Sequence, residues 1–418
     1  MSTEPMPAQS DVLVVGAGQA GAQVAISLRQ GGYRGSITLL GDEPDLPYER
    51  PPLSKEYLSG DKTAERLLLR SAAFWQERAV TLCLGETVVA VHAEAHRATT
   101  HAGASITYGQ LVWAAGGKAR PLPLPGGDLA GVFTLRSRGD VDRLRAALPE
   151  LAHIAIIGAG YIGLEVAPCL RKLGKRVTVI ETQDRVLARV TSPIVSAFYA
   201  AEHRAQGVEL LLGAGIAGLV SKEGRVAGVA FLDGRPELAC DAVIVAIGIA
   251  PAVQVLKEAG VNVGNGVEVD SLCQTSQPDI FGVGDCASHV NRYAGADRVR
   301  IESVQNAVEQ AKVVASVILG TPVPYTAVPW FWSNQYDLRL QTVGLNVGYD
   351  AQVVRGDPAL RSFSVIYLRA GRVVALDCVN AASDFIQGKA LVVRGLCIDA
   401  QQLADTTRPL KSLAEESS

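Results

Sequence analysis

The apolar residues of this chain gather in short runs, and two of those runs open onto the same kind of loop. Val12-Leu13-Val14-Val15 leads into Gly16-Ala17-Gly18-Gln19-Ala20-Gly21, and Ile154-Ala155-Ile156-Ile157 leads into Gly158-Ala159-Gly160-Tyr161-Ile162-Gly163. Each run reads as a strand, and the stretch after each loop is helix-like. A second strand follows each helix, Ile37-Thr38-Leu39-Leu40 in the first copy and Val177-Thr178-Val179-Ile180 in the second. Each copy then closes on a further apolar run, at residues 111–117 and 242–248. The pattern predicts an α/β chain with one internal repeat of two folding units rather than a solenoid array. The proline-rich residues 121–127 read as a linker, and residues 279–285 as another short strand ending in Gly-Asp. Beyond Pro322-Val323-Pro324 the texture changes. Trp330, Phe331, Trp332, Tyr336 and Tyr349 cluster there, and alternating strands at 362–368 and 372–376 predict a third, α+β domain. Pro168 falls inside the second helix and removes a backbone donor, so a kink or an early end is expected.

The loops carry a definite chemistry. In Gly-x-Gly-x-x-Gly the first glycine allows the tight turn out of the strand, the second lets backbone approach a pyrophosphate, and the third lets helix and strand pack closely. The free amides and dipole of the helix end favour the anion. An acid about 20 residues on accepts from ribose hydroxyls. Asp42 or Glu43 can fill that role in the first copy, and Glu181 in the second. Two such loops, each in strand–loop–helix context and each answered by an acid, describe a chain that holds two dinucleotides.

Composition narrows the setting. A length of 418 residues suggests two or three domains at about 150 residues each. A net charge of −3 gives no bulk attraction for nucleic acid or anionic membrane. The first ten residues lack a basic and then apolar signal and read as a disordered leader. The longest apolar stretch, residues 242–256, is broken by Gly248, Pro251 and Gln254 and reads as strand and turn, not as a membrane span. A cytoplasmic protein is expected. None of the seven cysteines forms a Cys-x-x-Cys pair, which suits free thiols in a reducing compartment. His92, His96 and His101 lack coherent ligand spacing and read as a surface hairpin, so no metal site is expected.

Four segments carry a resemblance to a known family. They are Pro47-Tyr48-Glu49-Arg50-Pro51-Pro52-Leu53-Ser54-Lys55, Gly158 to Glu165, Val283-Gly284-Asp285-Cys286-Ala287, and Pro329-Trp330-Phe331-Trp332-Ser333. As an ordered set they resemble the FAD-dependent NADH:ferredoxin reductases, both the putidaredoxin reductase-like enzymes and the reductase components of aromatic-ring dioxygenases. The resemblance implies a glutathione-reductase-like fold with two dinucleotide-binding domains. The FAD domain would be residues 1–115 and 250–326, the NAD domain 116–249, and a C-terminal α+β reductase domain 327–418.

The resemblance also implies roles. Gly16, Gly18, Ala20 and Gly21 would bind FAD, with Asp42 at the adenosine ribose unless Glu43 takes its place. Lys55 would lie at the flavin N5–O4 edge, Val88 near the adenine, Arg136 on the pyrophosphate side, Asp285 at a ribityl hydroxyl, and Val304 and Trp332 along the flavin. NADH falls to Gly158, Gly160, Tyr161, Ile162, Gly163, Glu181 and Gly248. Glu181 would repel a 2′-phosphate and favour NADH, while nearby Arg185 weighs the other way. Lys55, Glu165 and Tyr161 form the implied catalytic group: an ion pair beside the hydride path and a ring that covers the flavin. Hydride would pass from NADH to FAD, and electrons would leave singly to a [2Fe–2S] ferredoxin serving a haem-thiolate monooxygenase or a ring-hydroxylating dioxygenase. The absence of cysteine from residues 47–55 sets the chain apart from disulfide reductases. Lys312, Arg339 and Lys411 are the candidate cations for docking an acidic ferredoxin. A rubredoxin or monodehydroascorbate-type acceptor, or a redox-sensing role like that of apoptosis-inducing factor, are the alternatives.

Overall fold

The computed structural model describes residues 6–416, so the leader lies partly outside the described residues, and within them a strand already begins at Gln9. The chain divides into two compact units, one of Met1–Glu49, Ala64–Lys118 and Ala250–Pro329, the other of Arg50–Thr63, Ala119–Ile249 and Trp330–Ser418.

The first unit begins with β1 (Gln9–Val15), α1 (Gln19–Gln30), β2 (Ile37–Gly41), β3 (Val80–Leu84), β4 (Val88–His92), β5 (Arg97–Thr100) and β6 (Ser105–Trp113). The sheet order is β3-β2-β1-β6-β5-β4. β1 runs parallel to β2 and β6, with Val15 opposite Leu40 and Trp113. A strand covered on both faces must be apolar at both alternations. Val12 and Val14 accordingly pack with Leu39, Val112 and α1, while Leu13 and Val15 pack with Leu40, Leu111 and Trp113 in a second core. β4 and β5 form an antiparallel hairpin with His92 and His96 at its turn, the hairpin expected for the histidine-rich stretch.

The second unit repeats the plan with β7 (Val132–Phe133), β8 (His153–Ile157), α2 (Tyr161–Lys172), β9 (Arg176–Ile180), α3 (Pro193–Ala205), β10 (Glu209–Leu211), β11 (Ile216–Lys222), β12 (Arg225–Phe231) and β13 (Ala242–Val245). The parallel sheet runs β10-β9-β8-β13-β7, and Ile157 stands opposite Ile180 and Val245 just as Val15 does in the first unit. Two expectations need correcting. Residues 121–127 are not a loose linker: Leu122 is buried with Val229, Phe231 and Val243, and Leu219 N–H donates to the Pro125 carbonyl at 2.8 Å. Nor does Pro168 shorten α2, which has twelve residues, as α1 does. The missing N–H deprives only the Leu164 carbonyl of its helical partner, and the buried face formed by Leu164, Val166, Ala167 and Leu170 holds the helix through that gap.

The chain then returns to the first unit with β14 (Ile280–Gly282), parallel to the end of β6, and α4 (Val304–Ile318), whose Ala307, Ala311 and Val314 share a core with α1. Last come β15 (Trp330–Gln335), β16 (Leu338–Gly344), β17 (Ala351–Asp357), β18 (Ser362–Arg369), β19 (Arg372–Val379) and α5 (Ala382–Arg394). They give an antiparallel sheet, β15-β16-β19-β18-β17, with α5 packed on it, the α+β arrangement expected. These residues cluster with the second unit, and so does Arg50–Thr63, a segment that the resemblance assigns to the FAD domain. Tyr57 donates to Asp142 at 2.6 Å, Lys172 pairs with Asp61 at 2.7 Å, and Lys55 pairs with Glu165, so that segment is tied to the inserted residues. No helix among the described residues is long and apolar enough to cross a membrane.

Two buried histidines set an acid sensitivity. Burial pushes His203 on α3, and His289 in the first unit, down to about 4 from an ordinary value of 6.5. The unfolded chain therefore binds protons that the folded chain refuses, and the stabilisation, complete above pH 6.5, is lost as pH falls from 6.5 towards 4. Each histidine adds a slope approaching about 1.4 kcal/mol per pH unit. Denaturation midpoints measured between neutral pH and pH 5 should fall, and His203→Gln should flatten the fall; an unchanged slope would rule out the assignment.

Candidate active site

The two glycine loops are superposable in their bonding. Gly16 N–H donates to the Leu40 carbonyl at 2.7 Å and Gly158 N–H to the Ile180 carbonyl at 2.8 Å. Both glycines have left-handed φ, +113° and +106°, and a Cβ on either would strike the backbone just past the closing strand, at Ala114 or Ala246. A Cβ on Gly21 would stand 1.9 Å from the Gly16 carbonyl oxygen, and one on Gly163 2.1 Å from that of Gly158. The middle glycines differ: no atom lies within 4 Å of a Cβ built on Gly18 or Gly160. These two residues are the N-caps of α1 and α2, and no side chain caps either helix. Each loop thus presents the uncapped amides of its helix start to free space, which suits a pyrophosphate.

The acids are placed differently in the two copies. Glu181 directly follows β9, and its carboxylate accepts from Ala159 N–H at 2.8 Å and Gln183 N–H at 2.9 Å. The register equivalent in the first unit is Gly41, where a Cβ would stand 2.6 Å from the Ala17 Cβ, so no acid fits. Asp42, one residue later, is exposed, whereas the Glu43 carboxylate accepts the Tyr48 hydroxyl. The segment carrying Val88 is drawn to this corner, since Glu86 N–H donates to the Gly41 carbonyl at 2.8 Å. Asp285 lies on a turn whose Gly284 N–H donates to Gln310 Oε1 at 2.8 Å, and a Cβ on Gly284 would meet that of Ala20 at 3.0 Å. Val304 opens α4, whose Ala307 borders the same glycine. The first unit therefore collects the first loop, Asp285 and the start of α4.

The second unit builds a buried charge pair. Lys55 Nζ donates to Glu165 Oε2 at 2.5 Å and to the Pro51 carbonyl at 2.9 Å. Glu165 also accepts Ser54 Oγ on the same oxygen at 2.7 Å and Ser333 Oγ on the other at 2.8 Å. The side chains are only 12% and 6% exposed. Tyr161, the first residue of α2, lays its ring 4.5 Å from that of Phe331, and burial beside Asp377 pushes its hydroxyl pKa upward. Ile162 is exposed, and the Gly248 carbonyl accepts Arg120 N–H at 3.0 Å. Trp332, half-buried on β15, stacks obliquely on Trp330 at 5.5 Å. The Arg136 carbonyl accepts the Arg50 guanidinium at 2.6 Å. Lys55, Arg136 and Trp332 thus belong to the second unit, unlike the other residues assigned to FAD. Among the suggested docking cations, Lys312 pairs with Glu309 at 2.8 Å, Lys411 lies 3.8 Å from Glu415, and Arg339 is exposed on β16.

Residues 10–311 match the pyridine nucleotide-disulphide oxidoreductase family, and residues 330–414 match the reductase C-terminal family. The chain is 56% identical, over 96% of its own length and 98% of the relative's, to the 5,5'-dehydrodivanillate O-demethylase ferredoxin reductase subunit of a Sphingobium species. It is 41% identical to putidaredoxin reductase of Pseudomonas putida, over 98% of this chain and 97% of that one. The chain belongs to the ferredoxin reductases. The reductase also matches the crystal structure of the covalent putidaredoxin reductase–putidaredoxin complex with a TM-score of 0.93 at 39% identity, over 98% of this chain and 99% of that one. Sequence reasoning missed Ser54 and Ser333, although both stand inside the quoted motifs of the reductase, beside Lys55 and Trp332. It also missed Asp377, for which no motif existed.

Proposed function

We propose that the chain is a cytoplasmic, FAD-dependent NADH reductase delivering electrons to a [2Fe–2S] ferredoxin that serves an oxygenase. The observation that carries the reading is the pair of register-matched cradles, each open beyond its second glycine. FAD, when bound, supplies a hydride acceptor and a donor of single electrons. The chain's own residues supply the setting. The first cradle, Asp42 and Asp285 hold the flavin nucleotide. Glu165, Ser54 and Ser333 hold the Lys55 ammonium in place, a fixed cation that stabilises negative charge without reorganisation.

The segment 47–55 holds no cysteine, and the buried thiols offer no redox chemistry of their own. Burial pushes Cys240 up to about 11 and Cys169 and Cys286 to about 12, which leaves them protonated and poorly nucleophilic. An external electron carrier is the consistent acceptor. Arg185 does not counter the NADH assignment: its guanidinium is spent on the Thr191 carbonyl at 2.9 Å, Ser196 Oγ at 2.7 Å and the Ala188 carbonyl at 2.7 Å. Glu181→Ala should then lower the preference for NADH over NADPH on the order of tenfold. Paired kcat/KM values for the two nucleotides check this, and unchanged discrimination would remove Glu181 from the role. The acceptor is tested by anaerobic turnover with NADH across several [2Fe–2S] ferredoxins and rubredoxin. Rapid turnover with a ferredoxin supports the proposal, and turnover with rubredoxin alone replaces it.

A further inference from the structure

Asp377, on β19, is a buried carboxylate with no cation on it among the described residues. It accepts only from hydroxyls, Thr191 Oγ1 at 2.5 Å and Tyr367 Oη at 2.6 Å. Burial raises its pKa to about 6. An acid kept inside a protein on such terms is costly, and it persists where it holds something in place. What it holds is the turn between β9 and α3. Tyr367 Oη also accepts the N–H of Ser192, the N-cap of α3, at 3.0 Å. Leu187, in the same turn, has φ +53°, a conformation disfavoured for a branched side chain. It is kept there by Val190 N–H and Thr191 N–H, which donate to its carbonyl at 3.0 and 3.2 Å. Leu187 N–H in turn donates to the carbonyl of Ala159, inside the second glycine loop, at 2.9 Å. The contacts run without a break from Asp377 through Thr191 and Leu187 to Ala159.

We infer that Asp377, acting through Thr191 and Tyr367, is a positioning residue of the pyridine-nucleotide site: it sets the turn that shapes the second glycine loop. The inference rests on the assignment of that loop to NADH. The anchor shares no hydrogen bond with Lys55 or Glu165, and the Thr191 variants leave Asp377 and Tyr367 in place beside Tyr161, so the expected loss is of nucleotide binding, with flavin content and the chemical step kept. The test uses the full-length, FAD-loaded protein with Thr191→Val, Thr191→Ser and Tyr367→Phe. Three things are measured: NAD+ affinity by equilibrium dialysis, KM and kcat for NADH, and the flavin-to-protein ratio. Thr191→Val should weaken NAD+ binding and raise KM roughly fivefold, the worth of one buried hydrogen bond, at unchanged kcat and flavin content. Thr191→Ser, which keeps the hydroxyl, should restore both. Should Thr191→Val lose flavin, Tyr367→Phe provides the same reading through Ser192. A flavin-loaded Thr191→Val or Tyr367→Phe protein with wild-type NAD+ affinity overturns the inference. So does a Thr191→Ser protein as defective as Thr191→Val. Gly160→Val separates the failures: if it too binds NAD+ normally, the assignment of the second loop is what fails.

Discussion

Glu165→Ala is expected to slow the reduction of bound FAD by NADH on the order of tenfold to a hundredfold, and to destabilise the protein by about 3–5 kcal/mol. Both effects come from one geometry. Glu165 is the common acceptor for the Lys55 ammonium and two buried hydroxyls, those of Ser54 and Ser333. Its removal leaves a nearly buried cation without its counter-charge and two hydroxyls without an acceptor, the circumstance in which breaking an ion pair costs most. Glu165→Gln separates the two effects. The amide keeps one acceptor oxygen for the hydroxyls but leaves the Lys55 cation without its counter-charge, so only part of the stability should return while the rate stays low. A Gln variant as fast as wild type would mean that the carboxylate's charge has no part in the reaction.

The second large effect concerns the glycines, and its signature is a contrast between neighbours. A Cβ at Gly18 stands in open space, so Gly18→Val should fold, yet be purified without FAD, because the side chain fills the cradle. Gly160→Val should fold and remain yellow but lose bleaching by NADH. Gly21→Val places its Cβ 1.9 Å from a backbone oxygen and should fail to fold or to hold flavin at all. Absorbance spectra of the purified variants, before and after anaerobic NADH, check all three. A yellow Gly18→Val protein would contradict the first cradle's role.

Much of this was legible from short-range pattern. Strand, turn and helix each have local causes, so both loops, both second strands and Glu181 could be placed from residue type and spacing. Long-range packing was not legible. Residues 121–127 look like a linker because proline and glycine report only local conformation, whereas Leu122 is buried by strands about a hundred residues away in sequence. Pro168 suggests a broken helix, since its cost is local and the compensating burial is not. Asp42 and Glu181 look equivalent by offset, and only strand register shows that Gly41 occupies the matching position. Ser54 and Ser333 gained their roles from Glu165, and Asp377 from Thr191, each more than a hundred residues away along the chain, and common polar residues carry no sign of that.

The most direct measurement is anaerobic titration of the FAD-loaded protein with one equivalent of NADH, followed by two equivalents of an oxidised [2Fe–2S] ferredoxin, with the flavin's visible absorbance recorded throughout. The account predicts bleaching by NADH and recovery of the colour as the ferredoxin is reduced. A flavin that stays yellow with NADH, or that bleaches and regains its colour only when oxygen is admitted, would contradict it.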